Sequence, residues 1–531
     1  MVYQFFNREE IDKWIEKAKE QQILTPDGLK LPKDYEEKYG AEERLIYKNS
    51  LQEFKNLKLA ILSYGPKRAL GIFDTGKGES SSRTNVKTKQ GFEGVHYKSE
   101  GVNILFCPMD HKNALNLRKL LPYTAPSPLH DKNITFGVGD RLGIANPGHL
   151  RLFKEYDANP VLAQQSVREL NLTGRNYEDV LDSASWAVFL ERYEEPWGAD
   201  GDHLKTEDWV KKALSLGFTM LTADVSDYIK GEYETCDTDK LEDDYSKLDK
   251  KYIEEIEKEY LSMEFKLESG EILKFDKEQL MRVVLIYSEA VEHALRLYKT
   301  AVETRGEEGF DFELSIDETQ TPTTPQAHLF IAKEAQKRGI KIASLAPRFI
   351  GEFQKAIDYK GDVDKFETAF RKHCEIAEKL GYRISIHSGS DKFSVFPSIG
   401  KLSHGRFHIK TAGTNWLEAL RVIAVEEPTL FRRLYKYAKD TYKKAREYYH
   451  VTPNLGNLPN IDLLVDSQLV NILENPDARQ VLHITYGEML SDSTIKDEIY
   501  SALFKHLEEY WENLEKHIGR HLKLLGVSRK Q

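Results

Sequence analysis

From about residue 132 onward, a short apolar run followed by an amphipathic stretch recurs eight times. The runs are Ile134–Asp140, Val161–Ser166, Trp197–His203, Phe218–Asp224, Phe310–Glu318, Lys341–Pro347, Arg383–Ser388 and Phe407–Gly413. Helix-patterned segments fill most connections: Val167–Leu170 and Tyr177–Tyr193, Glu207–Leu216, Thr324–Arg338, Asp364–Leu380 and Trp416–Ala424. Short apolar runs alternating with helices are buried parallel strands, and eight such units close a barrel. The expected fold class is therefore α/β, a (β/α)8 TIM-like barrel over residues 131–425. The third run is the least β-prone, because Trp197-Gly-Ala-Asp-Gly-Asp-His is glycine-rich.

Three regions fall outside this rhythm. Residues 1–130 read as an α+β extension, with Asn7 capping a helix that carries an apolar stripe at Ile11, Trp14 and Ile15. Two β-rich stretches follow, Leu59–Asp74 and Gly94–Pro108, and the glycine- and serine-rich segment 76–85 between them is expected to be a mobile loop. About 85 residues separate Asp224 from Phe310, predicting a charged helical insertion over about 228–308. A solvated helix or hairpin is its plainest reading, with a lid or an oligomer contact left open. Residues 426–531 read as a helical region packed on the barrel, with long helices over Leu430–Tyr449 and Lys496–Leu525.

Composition narrows the function class. Apolar residues make up 40% of the 531, enough for a large core, so disorder is excluded. Seventy-six Lys and Arg face 86 Asp and Glu, a net charge of −10, which gives no global basic field for nucleic acid or anionic lipid. Cys107, Cys236 and Cys374 are far apart with no CxxC pair, arguing against disulfide scaffolds and thiolate zinc and suiting a reducing cytoplasm. No 18-residue apolar run occurs, and the amino terminus lacks a signal-peptide layout, so neither a membrane span nor secretion is expected. A cytoplasmic enzyme acting on small molecules is the expectation.

In such barrels chemistry collects at the carboxyl ends of the strands. Polar residues crowd nearly every one: Asp140 and Arg141, Gln164, Gln165 and Ser166, Asp200, Asp202 and His203, Asp224 and Asp227, Asp317 and Glu318, Arg348, His387 through Asp391, and His408 with Lys410. One such residue usually caps the next helix; eight successive ends point to a shared site. His203, His387 and His408 form a candidate open metal centre for zinc, nickel, cobalt or manganese, with a position free for substrate. His404 competes as third ligand but precedes its run, at the barrel's other end; His149 and His328 read as packing histidines. Asp202 and Glu318, with Asp317 beside it, supply acid–base partners for opposite faces of a bound sugar. Ser388-Gly-Ser-Asp391 and Lys410-Thr-Ala-Gly-Thr could hold a sugar carboxylate, aided by Lys410, Lys392, Arg348 or Arg141. There is no phosphate-binding GxxxxGK[ST], no GxSxG elbow and no HExxH, which disfavours nucleotide binding and serine hydrolysis.

At these strand ends the chain resembles the tagaturonate epimerase family. The matching segments are Phe136-Gly-Val-Gly-Asp-Arg-Leu-Gly with Pro147-Gly-His, Gln164-Gln-Ser-Val-Arg-Glu-Leu, Gly198-Ala-Asp-Gly-Asp-His-Leu-Lys-Thr and Ser315-Ile-Asp-Glu-Thr-Gln-Thr-Pro-Thr. Ser344-Leu-Ala-Pro-Arg-Phe, His387-Ser-Gly-Ser-Asp-Lys-Phe and His408-Ile-Lys-Thr-Ala-Gly-Thr complete the set. The resemblance implies a divalent-metal-dependent barrel isomerase that interconverts tagaturonate and fructuronate, tolerating tagatose and fructose. It implies His203, His387 and His408 as metal ligands, Asp202 as proton acceptor and Glu318 as donor, with Asp317 able to exchange roles with Glu318. Gln165, Arg141, Arg348, Ser388, Asp391, Lys392 and Lys410 are the candidate substrate contacts. The segment Thr222-Ala-Asp224-Val-Ser-Asp227-Tyr departs from the relatives' Asp-Pro-Ser-Asp-His form, so no role is carried to Asp224 or Tyr228.

The two ketouronates differ at a hydroxyl-bearing carbon β to the ketone, whose proton is too weakly acidic for simple enolisation. Retro-aldol cleavage and re-addition would invert it, with a metal stabilising the enediolate. Two alternatives stay open: another metal-dependent sugar aldolase or aldose–ketose isomerase, and a non-catalytic sugar-binding barrel. Homo-oligomerisation is compatible with the sequence but not indicated by it.

Overall fold

The computed structural model describes residues 3–25, 28–40, 42–55, 57–74, 91–99 and 102–530. Eight parallel strands close a barrel in sequence order: Ile134–Gly137, Asn159–Ser166, Gly198–Leu204, Met220–Asp224, Asp311–Ile316, Ser344–Pro347, Arg383–Ile386 and Phe407–Lys410. Phe407 pairs with Ile134 and Lys410 with Gly137, so the eighth strand seals against the first. The strands from Met220 on are buried at every position, as a sheet covered on both faces requires.

The glycine-rich third run is indeed a strand, pairing with both neighbours, and its register shifts between Gly201 and Leu204. There His203 takes φ +52°, a left-handed conformation uncommon outside glycine, and the shift turns Asp202 and His203 out of regular alternation. The strand was hard to read because its glycines serve this bend.

The predicted insertion divides into two parts. Thr238–Ser246, Lys250–Tyr260 and a small hairpin (Phe265–Lys266 with Ile272–Leu273) form the excursion. Lys277–Arg305, 29 residues long and started by a capping box at Asp276, packs between Glu207–Leu216 and Pro325–Lys337 as the barrel's own fourth helix. The extra segment is therefore shorter than 228–308.

The amino-terminal sheet is antiparallel in the order Gln52–Phe54, Leu57–Tyr64, Lys67–Asp74, Val102–Cys107 and Val95–Ser99. Both faces are apolar. Ala60, Leu62, Ala69 and Phe106 pack on Trp14 and Ile15 of helix Arg8–Glu20. Leu59, Ile61, Leu70 and Leu105 face the other way, into a core with Trp186, Trp416 and Phe431. That alternation follows from the two-residue strand period. The segment 76–85 lies outside the described residues. At the carboxyl end, Pro428–Ala445, Pro476–Ile484, Tyr486–Ser491, Ser493–Lys505 and Leu507–Leu524 cover the barrel, and the expected single helix 496–525 breaks at His506. Among the described residues no helix is long and apolar enough to cross a membrane.

Candidate metal centre and acid–base cluster

The barrel mouth rests on a buried ionic floor. Lys410, on the last strand, places Nζ 2.6 Å from Asp202 Oδ1, 2.8 Å from Glu313 Oε1 and 3.1 Å from Asp200 Oδ2, and donates to Thr222 Oγ1 at 2.5 Å. One ammonium among three carboxylates leaves an excess of negative charge, and burial, with Asp202 and Glu313 close by, raises the Asp200 carboxyl against the pull of Lys410. Cations are favoured directly above this floor.

Two imidazoles stand there. His387 directly follows the seventh strand; its Nε2 donates to Glu313 Oε1 at 2.7 Å, while buried Nδ1 lies 3.2 Å from Asp317 Oδ1. His203 sets Nδ1 3.4 Å from Asp224 Oδ2 and Nε2 3.9 Å from Asp202 Oδ1. The two rings are 5.0 Å apart between centroids. One ligand atom from each of His203, Asp317 and His387 falls within 4.8 Å of the others. Asp317 Oδ1 is fixed by the Ser315 hydroxyl at 2.6 Å.

An imidazole with one nitrogen on a carboxylate and the other turned to an acidic pocket is the arrangement that orients a metal-binding histidine. Both rings have it, with Glu313 behind His387 and Asp224 behind His203. The electrostatics agree. Burial would lower the His203 pKa, but Asp202, Asp224 and Asp317 push it up to about 10. Burial would raise the Asp317 carboxyl, but His387 and His203 hold it well below the usual carboxylate range. Two imidazoles and a carboxylate, with the ring protons standing where a dication would, fit zinc, nickel, cobalt or manganese.

A cavity of about 360 Å³ opens above this cluster, lined by Asp202, His203, Asp317, Glu318, His387 and Lys410 among others. Glu318 reaches in from the exposed end of the fifth strand, and one of its oxygens lies within 4.8 Å of donor atoms of both His203 and Asp224. Asp202 and Glu318 thus both approach His203. Burial would raise the Asp202 carboxyl, but Lys410, His203 and His387 keep it ionised and well below its ordinary value.

Several expected residues stand elsewhere. His408 is not in the ligand cluster: it lies two residues before Lys410 on the strand, fully buried, with Nδ1 2.9 Å from Thr135 Oγ1 and Nε2 without a partner. Gln165 turns away and donates to the Asp140 carbonyl at 2.8 Å; Gln164, one position earlier, lines the cavity. Strand alternation decides between them. Asp391 faces the carboxyl-terminal helices, accepting from Arg479 at 2.7 Å and from His517 at 2.7 Å. Lys392 is sealed off, its Nζ donating to the carbonyls of Gln354, Ile357 and Ser390. Arg141 lines the cavity but is paired with Glu169 at 2.5 Å and lies over the Tyr486 ring. Arg348 and Ser388 do line the cavity, Ser388 at φ +51°. His404 sits exposed beside Glu378, and His149 and His328 are buried in polar contacts with Asn146 and Asn415, and with His373 and Tyr382.

Glu313 was missed, although counting back by twos from Asp317 through Ser315 along the strand would have found it. Asp224 was set aside for departing from a motif, yet it backs His203. Lys355 and His483, which also line the cavity, come from a loop and a carboxyl-terminal helix and carry no local signal.

The sequence model of the tagaturonate epimerase family matches residues 47–525. The chain is 40% identical over 468 residues to the tagaturonate/fructuronate epimerase of Thermotoga maritima, covering 87% of this chain and 96% of that protein. A glycerol-complexed crystal structure of fructuronate-tagaturonate epimerase from Cohnella laeviribosi superposes with a TM-score of 0.86 at 41% identity, covering 93% of this chain and 98% of that one. The native structure of the same enzyme gives 0.85 at 42% identity, covering 91% and 96%.

Proposed function

The chain belongs to the tagaturonate epimerase family, and from that premise we propose that it interconverts D-tagaturonate and D-fructuronate at a divalent metal held by His203, His387 and Asp317. The observation that carries the metal reading is the convergence of two carboxylate-backed imidazoles on Asp317, with Nδ1 of His387 3.2 Å from its Oδ1. His408, expected as the third ligand, is replaced by Asp317 on that geometry. The bound metal supplies Lewis acidity for an oxyanion next to the bond that breaks.

The chain's own residues do the rest. Asp202, kept ionised by Lys410, accepts the proton of the hydroxyl on the carbon to be inverted. Glu318, in open contact with solvent, returns a proton as the bond re-forms on the opposite face. A retro-aldol route, in which that hydroxyl loses its proton as the adjacent carbon–carbon bond breaks, needs no abstraction of the weakly acidic proton on the inverted carbon. With Asp317 engaged by His387 and His203, Glu318 is the carboxylate left for the acid role. The same reading places the enzyme in the cytoplasm, where free Cys107, Cys236 and Cys374 stay reduced. The test is incubation of each ketouronate with the protein, with and without a chelator, and separation of the products. Interconversion that stops on chelation supports the reading, and unchanged ketouronates reject it.

A further inference from the structure

The same cavity is electrostatically polar. The metal cluster end is crowded with carboxylates and would repel an anionic substrate group. Two of the cations along the lining are committed to carboxylates, Arg141 to Glu169 and Lys410 to three of them. Lys355 is not. Its Nζ donates to the Ser388 hydroxyl at 2.9 Å, one residue beyond His387, and among the described residues no carboxylate lies within ion-pair distance. Burial lowers its pKa, the mark of an ammonium short of counter-charge.

A second observation comes from another part of the chain. His483, on Pro476–Ile484, lines the cavity, is 1% exposed, and has a hydrogen-bond partner on neither ring nitrogen. Gly413 leaves the room for it, since a Cβ there would stand 2.3 Å from the ring. A buried imidazole left wholly unpaired is costly, and a ligand oxygen would relieve it.

Resting on the proposed epimerase reading, we infer that Lys355, assisted by His483, binds the carboxylate of the ketohexuronate and sets the preference for sugar acids over neutral ketoses. The carboxylate lies at the opposite end of the substrate chain from the ketone, so anchoring it beside Ser388 directs the ketone end toward the metal cluster. Arg348, the cation named from sequence, lines the same cavity and adds long-range attraction.

The experiment titrates D-gluconate, a sugar acid without the ketone, into metal-loaded wild type, Lys355→Met and His483→Phe by calorimetry, alongside kcat and KM for tagaturonate and metal content. Lys355→Met is expected to weaken gluconate by roughly tenfold to a hundredfold, as for loss of a charged hydrogen bond. KM should rise more than kcat falls, with metal content retained. His483→Phe should weaken gluconate by a smaller factor. Equal gluconate affinity in wild type and Lys355→Met, or no gluconate binding by wild type, overturns the inference. Equal affinity in His483→Phe removes His483 from it. Should Lys355→Met not fold, Lys355→Gln carries the same test. A wild type that binds gluconate through Lys355 but leaves both ketouronates unchanged would sink the epimerase reading and keep the subsite.

Discussion

His387 divides its two nitrogens between Glu313 and the open pocket, and that division is what a ligand histidine needs. Replacing Glu313 with Gln should weaken metal affinity by about 10- to 100-fold, the usual cost of losing such a carboxylate, read by competition with a chromophoric chelator. His387→Ala and Asp317→Ala should each lose the metal on gel filtration, whereas His408→Ala should retain it, as elemental analysis would report. A metal-free His408→Ala beside a metal-replete Asp317→Ala would restore the three-histidine set. Strand ends made Asp202, His203 and His387 legible, because barrel chemistry gathers there. Depth and parity are harder to read: His408 lies two residues before Lys410 on its strand, and Gln165 is one residue out of phase with Gln164, which lines the cavity. Lys392 and Lys410 are cations by sequence, but carbonyls from a distant segment hold the first and carboxylates from other strands hold the second.

The carboxyl-terminal helix Leu507–Leu524 is tied to the loop after the seventh strand by ions. His517 bridges Asp391 at 2.7 Å and Glu418 at 3.4 Å; Arg479 holds the other Asp391 oxygen, and the Asp391 N–H donates to His521. Burial opposes a charge on His517, but Glu418 and Asp391 raise its pKa; burial would raise Asp391, but His517 and Arg479 hold it far down. A raised histidine contributes stability in full below its unfolded value, about 6.5, and loses it as pH climbs through the folded one. A depressed carboxylate contributes above about 4 and loses it as pH falls through its low folded value. The clamp is therefore complete between about pH 4 and 6.5. His517→Asn should flatten the decline in urea midpoint above that window. At the other contact of this region, a Cβ on Gly400 would stand 1.9 Å from the Leu525 carbonyl. Gly400→Ala should cost about 1–3 kcal/mol, measured by urea unfolding. The helix Pro476–Ile484, bearing Arg479 and His483, went unread among the longer carboxyl-terminal periodicities, and with it went half of the inferred carboxylate subsite.

The barrel as a whole was legible because eight apolar runs with intervening helices have few other ways to bury themselves. The fourth barrel helix, Lys277–Arg305, was counted as insertion because it follows a charged excursion that interrupts the rhythm. The amino-terminal sheet and the carboxyl-terminal helices share one core with the outer barrel helices, a junction that local patterns do not encode. A metal bound only by the folded barrel should stabilise all of it by mass action, about 2.7 kcal/mol at a hundredfold excess over Kd. The thermal midpoint should rise on loading and fall on chelation. The most direct test of the central claim follows tagaturonate by NMR in D2O, with metal-loaded and chelated protein side by side. Fructuronate is expected in the loaded sample alone, with protium kept at the inverted carbon. Equal conversion after the metal has been removed, or deuterium at that carbon, would contradict it.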